Sequence, residues 1–315
     1  MSIGISDIKY FIPSKVITNE EIASIMPNWT AEKIEKKIGI NIRYIADTNE
    51  TALDLAYQAC IKLQADFTSI DALILCTQSP DYFLPTSACI LQKKLGINEN
   101  SACFDFNLGC SGYVYGLAIA KGLIAGGIAK RVLFVTAETY SKYIGAKDAG
   151  NRALFGDAAT ATIIENTTKS NCKDFILGTD GGGAENLIVK NGAAKFLNNA
   201  PACFFMNGPE IFAFTDSKIP DLVHRLLSKN QLDLSAIDYF IFHQANKYIL
   251  EHLRKKLSIP EERFIIDIDN YGNTVSNTIP IALYNLLIKQ NVEGKKIMIV
   301  GFGVGYSWGA GLIEF

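Results

Sequence analysis

Four short runs of uninterrupted apolar residues recur along the chain: Ala72–Leu75, Val132–Val135, Tyr239–Phe242 and Ile297–Val300. A strand with one solvated face alternates apolar and polar residues. An unbroken run instead predicts a strand covered on both faces. Between these runs the spacing changes to a helical period, from Cys110 through Ile124 and again from Asn273 through Ile288.

The two sets of elements match each other in order. Ser69-Ile70-Asp71 leads into ALILCTQSP, and 167 residues later Ala236-Ile237-Asp238 leads into YFIFHQAN. FDFNLGC, ending at Cys110, matches DIDNYGN, ending at Asn273, at an offset of 163. Lys130-Arg131 opens VLFVTAET, and Lys295-Lys296 opens IMIVGFG, at an offset of 165. Such an internal repeat predicts two similar halves, 1–165 and 166–315, each reading strand, helix, strand, helix, strand. Packed together they give an α/β molecule with helices between and outside two mixed sheets. Turn signals over 172–216 (DGGGAEN, NGAAK, NNAPA) predict loops beside the site.

Composition narrows the function classes. With 315 residues, 49% hydrophobic and 20% charged, the chain is an ordinary folded protein, long enough for two units around a shared core. A net charge of −2 and the lack of a basic stripe argue against nucleic-acid binding. The seven cysteines are irregularly spaced with no CxxC pair, which fits neither a disulfide framework nor a zinc site and points to a reducing compartment. The opening MSIGISDIKYF lacks the features of a secretory signal. Lys121 and several glycines interrupt the apolar stretch Tyr113–Ala129, so no membrane span is expected and the protein is expected in the cytoplasm.

Three residues draw attention as chemistry. Cys110, in NLGCSG, is expected on a tight turn into a helix, whose N-terminal partial charge favours thiolate. His243 ends the apolar run YFIF, at the strand end where α/β sites are built. Asn273, in YGNT, occupies the repeat position of Cys110. Each alone reads as an ordinary buried or turn residue. The repeat makes all three converge on the axis between the halves. The segment GFGVGYSWG, Gly301 to Gly309, follows a strand, but only six residues remain after it, too few for a dinucleotide-binding unit. It reads instead as a glycine-rich turn offering N–H groups to an oxyanion.

Together LGCSG, FHQAN, YGNT and GFGVGYSWG resemble the β-ketoacyl-acyl-carrier-protein synthase III family. Gly39–Arg43, LPTSACILQKKLG and FGDAATA match in order too, so the resemblance spans essentially the whole chain. Relatives with two active-site histidines differ at Asn273. Thiolases carry a second cysteine near the C-terminus, whereas no Cys follows Cys203 here. The resemblance implies a thiolase fold, five layers αβαβα, and a catalytic set of Cys110, His243 and Asn273. It implies an oxyanion hole from the N–H groups of Cys110 and Val304, no metal and no permanently bound cofactor. Acyl-coenzyme A or acyl-acyl carrier protein and malonyl-acyl carrier protein would be the substrates, acyl carrier protein the partner, and a homodimer the assembly. In such a homodimer Leu84 closes the acyl pocket of the partner subunit, and its modest size is expected to leave room for a longer or branched chain.

The donor pocket departs from the family pattern. The family's Trp and Arg before the GI motif align with Lys33 and Lys37, with Trp29 one turn earlier. A second family arginine aligns with Ala149, with Arg152 nearby, and an Asn aligns with Pro209. Trp29, Lys33, Lys37, Arg152 and Asn246 are therefore the candidate donor contacts, and acyl carrier protein becomes an alternative to coenzyme A as carrier. A competing reading is an acyltransferase that moves the acyl group from Cys110 to a hydroxyl or amine. A third is an inactive scaffold subunit, against which the complete Cys-His-Asn set argues.

Overall fold

The computed structural model describes residues 2–26, 28–195 and 203–315. Its first half runs through β1 (Ser2–Phe11), β2 (Lys15–Thr18), α1 (Asn19–Ser24), α2 (Ala31–Ile38) and β3 (Ile42–Ile45). It continues with α3 (Ala52–Ile61), β4 (Ala72–Cys76), α4 (Ser87–Leu95), β5 (Ala102–Phe106), α5 (Gly112–Ala125), β6 (Arg131–Glu138), α6 (Ala149–Leu154) and β7 (Ala158–Thr167). The second half opens with β8 (Asn171–Thr179), β9 (Leu187–Val189), β10 (Phe204–Met206) and α7 (Gly208–Lys229). It ends with β11 (Tyr239–Phe242), α8 (Lys247–Lys256), β12 (Phe264–Ile265), α9 (Thr278–Lys289), β13 (Lys296–Gly303) and β14 (Ser307–Glu314).

Two five-stranded sheets dominate, ordered β1-β7-β6-β4-β5 and β8-β14-β13-β11-β12. Strand by strand the orders correspond, and so do the directions. In each sheet the first three strands pair antiparallel and the last three parallel. The apolar runs are strands whose two faces serve different layers. In β6, Val132 and Phe134 enter the central core while Leu133 and Val135 face the outer one. In β13, Ile297 and Ile299 face the centre and Met298 and Val300 the far side. The central layer is α5 and α9, through Tyr113, Val114, Leu117, Ile279, Leu283 and Leu286. The outer layers are α3 with α4 and α7 with α8. The five-layered thiolase arrangement is therefore present.

A matched pair of aspartates ties each half together. Asp71 accepts the N–H groups of Lys130 (2.7 Å) and Arg131 (3.0 Å). Its repeat partner Asp238 accepts the Lys296 N–H (2.9 Å) and the Lys295 ammonium (3.1 Å). Each carboxylate joins the start of one parallel strand to the start of its neighbour.

The expectation of loops throughout 172–216 is corrected at both ends. Residues 171–179 form β8, recruited by antiparallel pairing with β14, and Gly208-Pro209 open the long helix α7 rather than a turn. The NNAPA segment lies outside the described residues. GFGVGYSWG is also not a turn throughout: GFG ends β13, SWG begins β14, and Val304 to Tyr306 make the connection. Among the described residues no helix is long and apolar enough to cross a membrane.

Candidate active site

Cys110 lies in the turn between β5 and α5, where the Gly112 N–H donates to the Gly109 carbonyl at 2.7 Å. The glycines of β13 make room for that turn. A Cβ on Gly301 would stand 2.9 Å from the Cys110 carbonyl oxygen, and one on Gly303 would stand 2.9 Å from both Cβ and Sγ of Cys110. The backbone N–H groups of Cys110 and Val304 lie on the side of the sulfur where they favour its thiolate form. Around it pack Tyr140, Ile144, Phe155, Leu187, Phe204 and Val275, all buried.

His243 directly follows β11 and is buried. Its N–H donates to the Val300 carbonyl (2.7 Å), which fixes the backbone, and its Nδ1 lies 2.7 Å from Thr278 Oγ1. Burial pushes the imidazole down to about 3, with the Val275 carbonyl opposing that shift. The ring is neutral throughout the physiological range.

Asn273 sits before α9. Its Oδ1 accepts the Val275 N–H at 2.9 Å, which orients the carboxamide with Nδ2 toward the Ala245 carbonyl at 3.5 Å. Val275 is thus the node of the site. Its N–H holds Asn273, its carbonyl meets Thr278 Oγ1 (3.1 Å) and His243, and its side chain packs in the cluster of Cys110. It does so at φ 57, in the left-handed region that β-branched residues avoid. The Cys110, His243 and Asn273 of the sequence reading therefore meet around one residue that the sequence did not single out.

One expectation is reversed. Cys110 is not a resting thiolate: burial, and next the nearby Glu138, push its thiol up to about 12, outweighing the two N–H donors. The N-terminal field of α5 acts on a sulfur that solvent does not reach. Glu138 is itself fully buried at the end of β6. It accepts the Gln78 N–H (3.0 and 3.2 Å) and the Ser79 hydroxyl (3.0 Å), and burial raises its carboxyl well above the usual range. A charged residue ending the apolar run VLFVTAE was the signal that could have found it.

The candidate donor contacts are drawn less tightly together. The Lys37 ammonium stands 5.3 Å over the Trp29 ring, and the Lys33 ammonium donates to the Asn28 carbonyl at 3.2 Å. Asn246 caps α8, accepting the Ile249 N–H at 2.8 Å. Arg152, in the last turn of α6, has a buried Nε without a partner among the described residues. Leu84, with Tyr82 and Phe83, belongs to an exposed apolar run and is itself 82% exposed. Of the other histidines, His252 pairs with Asp216 (2.6 Å) and His224 is exposed on α7.

Comparison with known proteins decides the family. Residues 104–181 match the model of 3-oxoacyl-[acyl-carrier-protein] synthase III, and residues 227–315 match the model of its C-terminal part. A β-ketoacyl-[acyl-carrier-protein] synthase III of Clostridium perfringens is 37% identical over 96% of each chain. The chain belongs to the β-ketoacyl-acyl-carrier-protein synthase III family. It is an acyl-transferring condensing enzyme of the thiolase fold. A crystal structure of a 3-oxoacyl-(acyl-carrier-protein) synthase III superposes with a TM-score of 0.97 at 44% identity, covering 100% of both chains. A synthase from Burkholderia xenovorans gives 0.91 at 38% identity, covering 100% of this chain and 94% of that one.

Proposed function

We propose that the enzyme takes an acyl group onto Cys110 and condenses it with a malonyl unit carried on acyl carrier protein, releasing CO₂. The Cys110 sulfur attacks the donor thioester. The carbonyl oxygen becomes an oxyanion held by the N–H groups of Cys110 and Val304, and the carrier thiol departs with the proton. The malonyl thioester then loses CO₂, and the enolate oxygen accepts hydrogen bonds from His243 Nε2 and Asn273 Nδ2. Its carbon attacks the acyl-Cys110 carbonyl, giving the β-ketoacyl product and expelling the Cys110 thiolate, which takes up a proton from water. This step needs the ring proton on Nε2, which requires the Thr278 hydroxyl to turn from the Val275 carbonyl (3.1 Å) and donate to Nδ1 (2.7 Å).

The observation that carries this reading is the Val275 node. It brings an amide whose Oδ1 is already occupied and a neutral imidazole into the surroundings of a nucleophile favoured by two N–H donors. Transfer to a hydroxyl or amine would need a base rather than an enolate clamp, and an imidazole held near pKa 3 is a poor base at pH 7. The donor acyl group arrives on acyl carrier protein or coenzyme A. Lys37 already covers the Trp29 ring, which favours acyl carrier protein. No tightly bound cofactor enters either step. The enzyme works in the reducing cytoplasm, in keeping with seven free cysteines. A homodimer forms along β5, which among the described residues pairs only with β4 and leaves its other edge open, together with the exposed apolar loop Tyr82–Leu84. Leu84 would then reach the acyl pocket of the partner subunit.

Replacing Asn273 by Ala is expected to leave Cys110 acylation within a few-fold. The release of CO₂ from malonyl thioester should fall by about 100- to 1,000-fold, the usual cost of one such donor. Intact-protein mass and CO₂ evolution measure the two steps separately. Equal loss of both, or no CO₂ from the unmodified enzyme, would sink the condensation reading.

A further inference from the structure

Arg43, on β3, is fully buried, yet the hydrogen bonds of its guanidinium run to neutral acceptors. Nη1 donates to Asn19 Oδ1 (2.8 Å) and the Ile17 carbonyl (3.4 Å), Nη2 donates to the Ala153 carbonyl (2.6 Å), and Nε has no partner among the described residues. A cation in such a place is costly and calls for an explanation.

The contacts beyond the guanidinium supply one. The segment that Nη2 grips is the one that clamps Asn273. The Asn273 N–H donates to the Leu154 carbonyl (2.8 Å), and the Gly156 N–H donates to the Asn273 carbonyl (3.1 Å), so Phe155 and Asn273 bridge as parallel strands do. The stem of Arg43 also touches this clamp. A Cβ on Gly272, the residue before Asn273, would stand 3.2 Å from the Arg43 Cβ, and one on Gly156 would stand 3.5 Å away. On the far side the Asp157 N–H donates to the Tyr44 carbonyl (2.7 Å), and its carboxylate accepts the Ala46 N–H (2.8 Å). Residues 153–157 are therefore strapped to β3 at both ends, and Asn273 is strapped to them. The turn that carries Cys110 is held by other elements, the glycines of β13 and the start of α5, and shares with this segment only the side-chain cluster that includes Phe155.

We propose that Arg43 is a positioning residue for Asn273, needed for decarboxylation and dispensable for loading Cys110. The inference rests on the enolate function proposed above for Asn273. Arg43→Met is expected to keep the acylation rate per loadable site within about three-fold. CO₂ release from malonyl thioester per loadable site should fall by about 100-fold, the effect of a displacement near 1 Å. Arg43→Lys, which retains a buried donor, should recover a substantial part. Combining Arg43→Met with Asn273→Ala should cost no more than Asn273→Ala alone.

A merely structural arginine would lower the melting temperature and the loadable fraction while leaving CO₂ release per loadable site intact; that result overturns the proposal. If Arg43→Met does not fold, Asn19→Ala removes one acceptor of the guanidinium. It should show the same asymmetry on a smaller scale, and parallel loss of both steps there is equally fatal. If Asn273→Ala itself keeps full CO₂ release, the enolate reading fails and the role proposed for Arg43 falls with it. If Asn273→Ala loses it and Arg43→Met does not, the strap fails and the enolate reading stands.

Discussion

At the scale of single residues, the site trades reactivity for enclosure. A thiol pushed up to about 12 exists almost wholly protonated at neutral pH, and thiolate is the reacting form. Alkylation of the free enzyme by iodoacetamide is therefore expected to accelerate about ten-fold per pH unit from pH 7 to 9. Mass spectrometry localised to Cys110 checks this, and a plateau reached below pH 8 contradicts it. Gly303 marks how closely the sulfur is packed. A methyl there would stand 2.9 Å from Sγ, nearer than real Cβ atoms come, and the opposing atoms belong to the nucleophile itself. Gly303→Ala is expected to cost at least about 100-fold in acylation rate, since an ångström of displacement is worth that much. Circular dichroism should remain native. Acylation at the wild-type rate would show that the turn can give way.

At the scale of elements, the repeat made the architecture readable and local chemistry did not. VLFV and IMIV are strands buried on both faces, so their composition alone declares them. NCKDFILGT mixes polar residues with apolar ones because much of β8 is only half-buried, and the neighbouring glycines made it look like loop. Cys110, His243 and Asn273 were legible because residue type, strand ends and repeat position agreed. Val275, Thr278 and Arg43 were not. A left-handed valine, a hydroxyl beside an imidazole and a buried cation reveal themselves only through neighbours far away in sequence. The aspartate pair belongs to this scale too. Removing the Asp238 carboxylate orphans the Lys296 N–H, and Asp238→Ala is expected to cost about 1–2 kcal/mol. Donation from the Lys296 N–H and from Lys295 outweighs burial and lowers its pKa below 3.8. Its contribution is therefore complete above the unfolded-state value and is lost as pH falls through the lower folded one. Urea titrations of both proteins should differ at pH 7 and converge toward pH 2. A constant gap would assign the effect to something other than the charge.

At the scale of the whole molecule, two copies of one topology meet with different chemistry at equivalent points, a sulfur from one half and a carboxamide from the other. The second copy of the chain in the proposed homodimer is the next level. Phe83 is 77% exposed between Tyr82 and Leu84, which are exposed as well. Phe83→Asp is expected to shift the species seen by light scattering from dimer to monomer at micromolar concentration. A monomeric wild-type enzyme would refute the proposed assembly.

The strand order has a consequence in time as well as in space. In both sheets the strand made first, β1 or β8, finds its neighbour only in the strand made last, β7 or β14. Each half is thus closed by the pairing that spans the greatest length of its chain, the kind of contact that forms slowly. Until that closure β1 and β8 are ribbons without a neighbour, and a crowded, newly synthesised population is most exposed there to pairing with the wrong molecule.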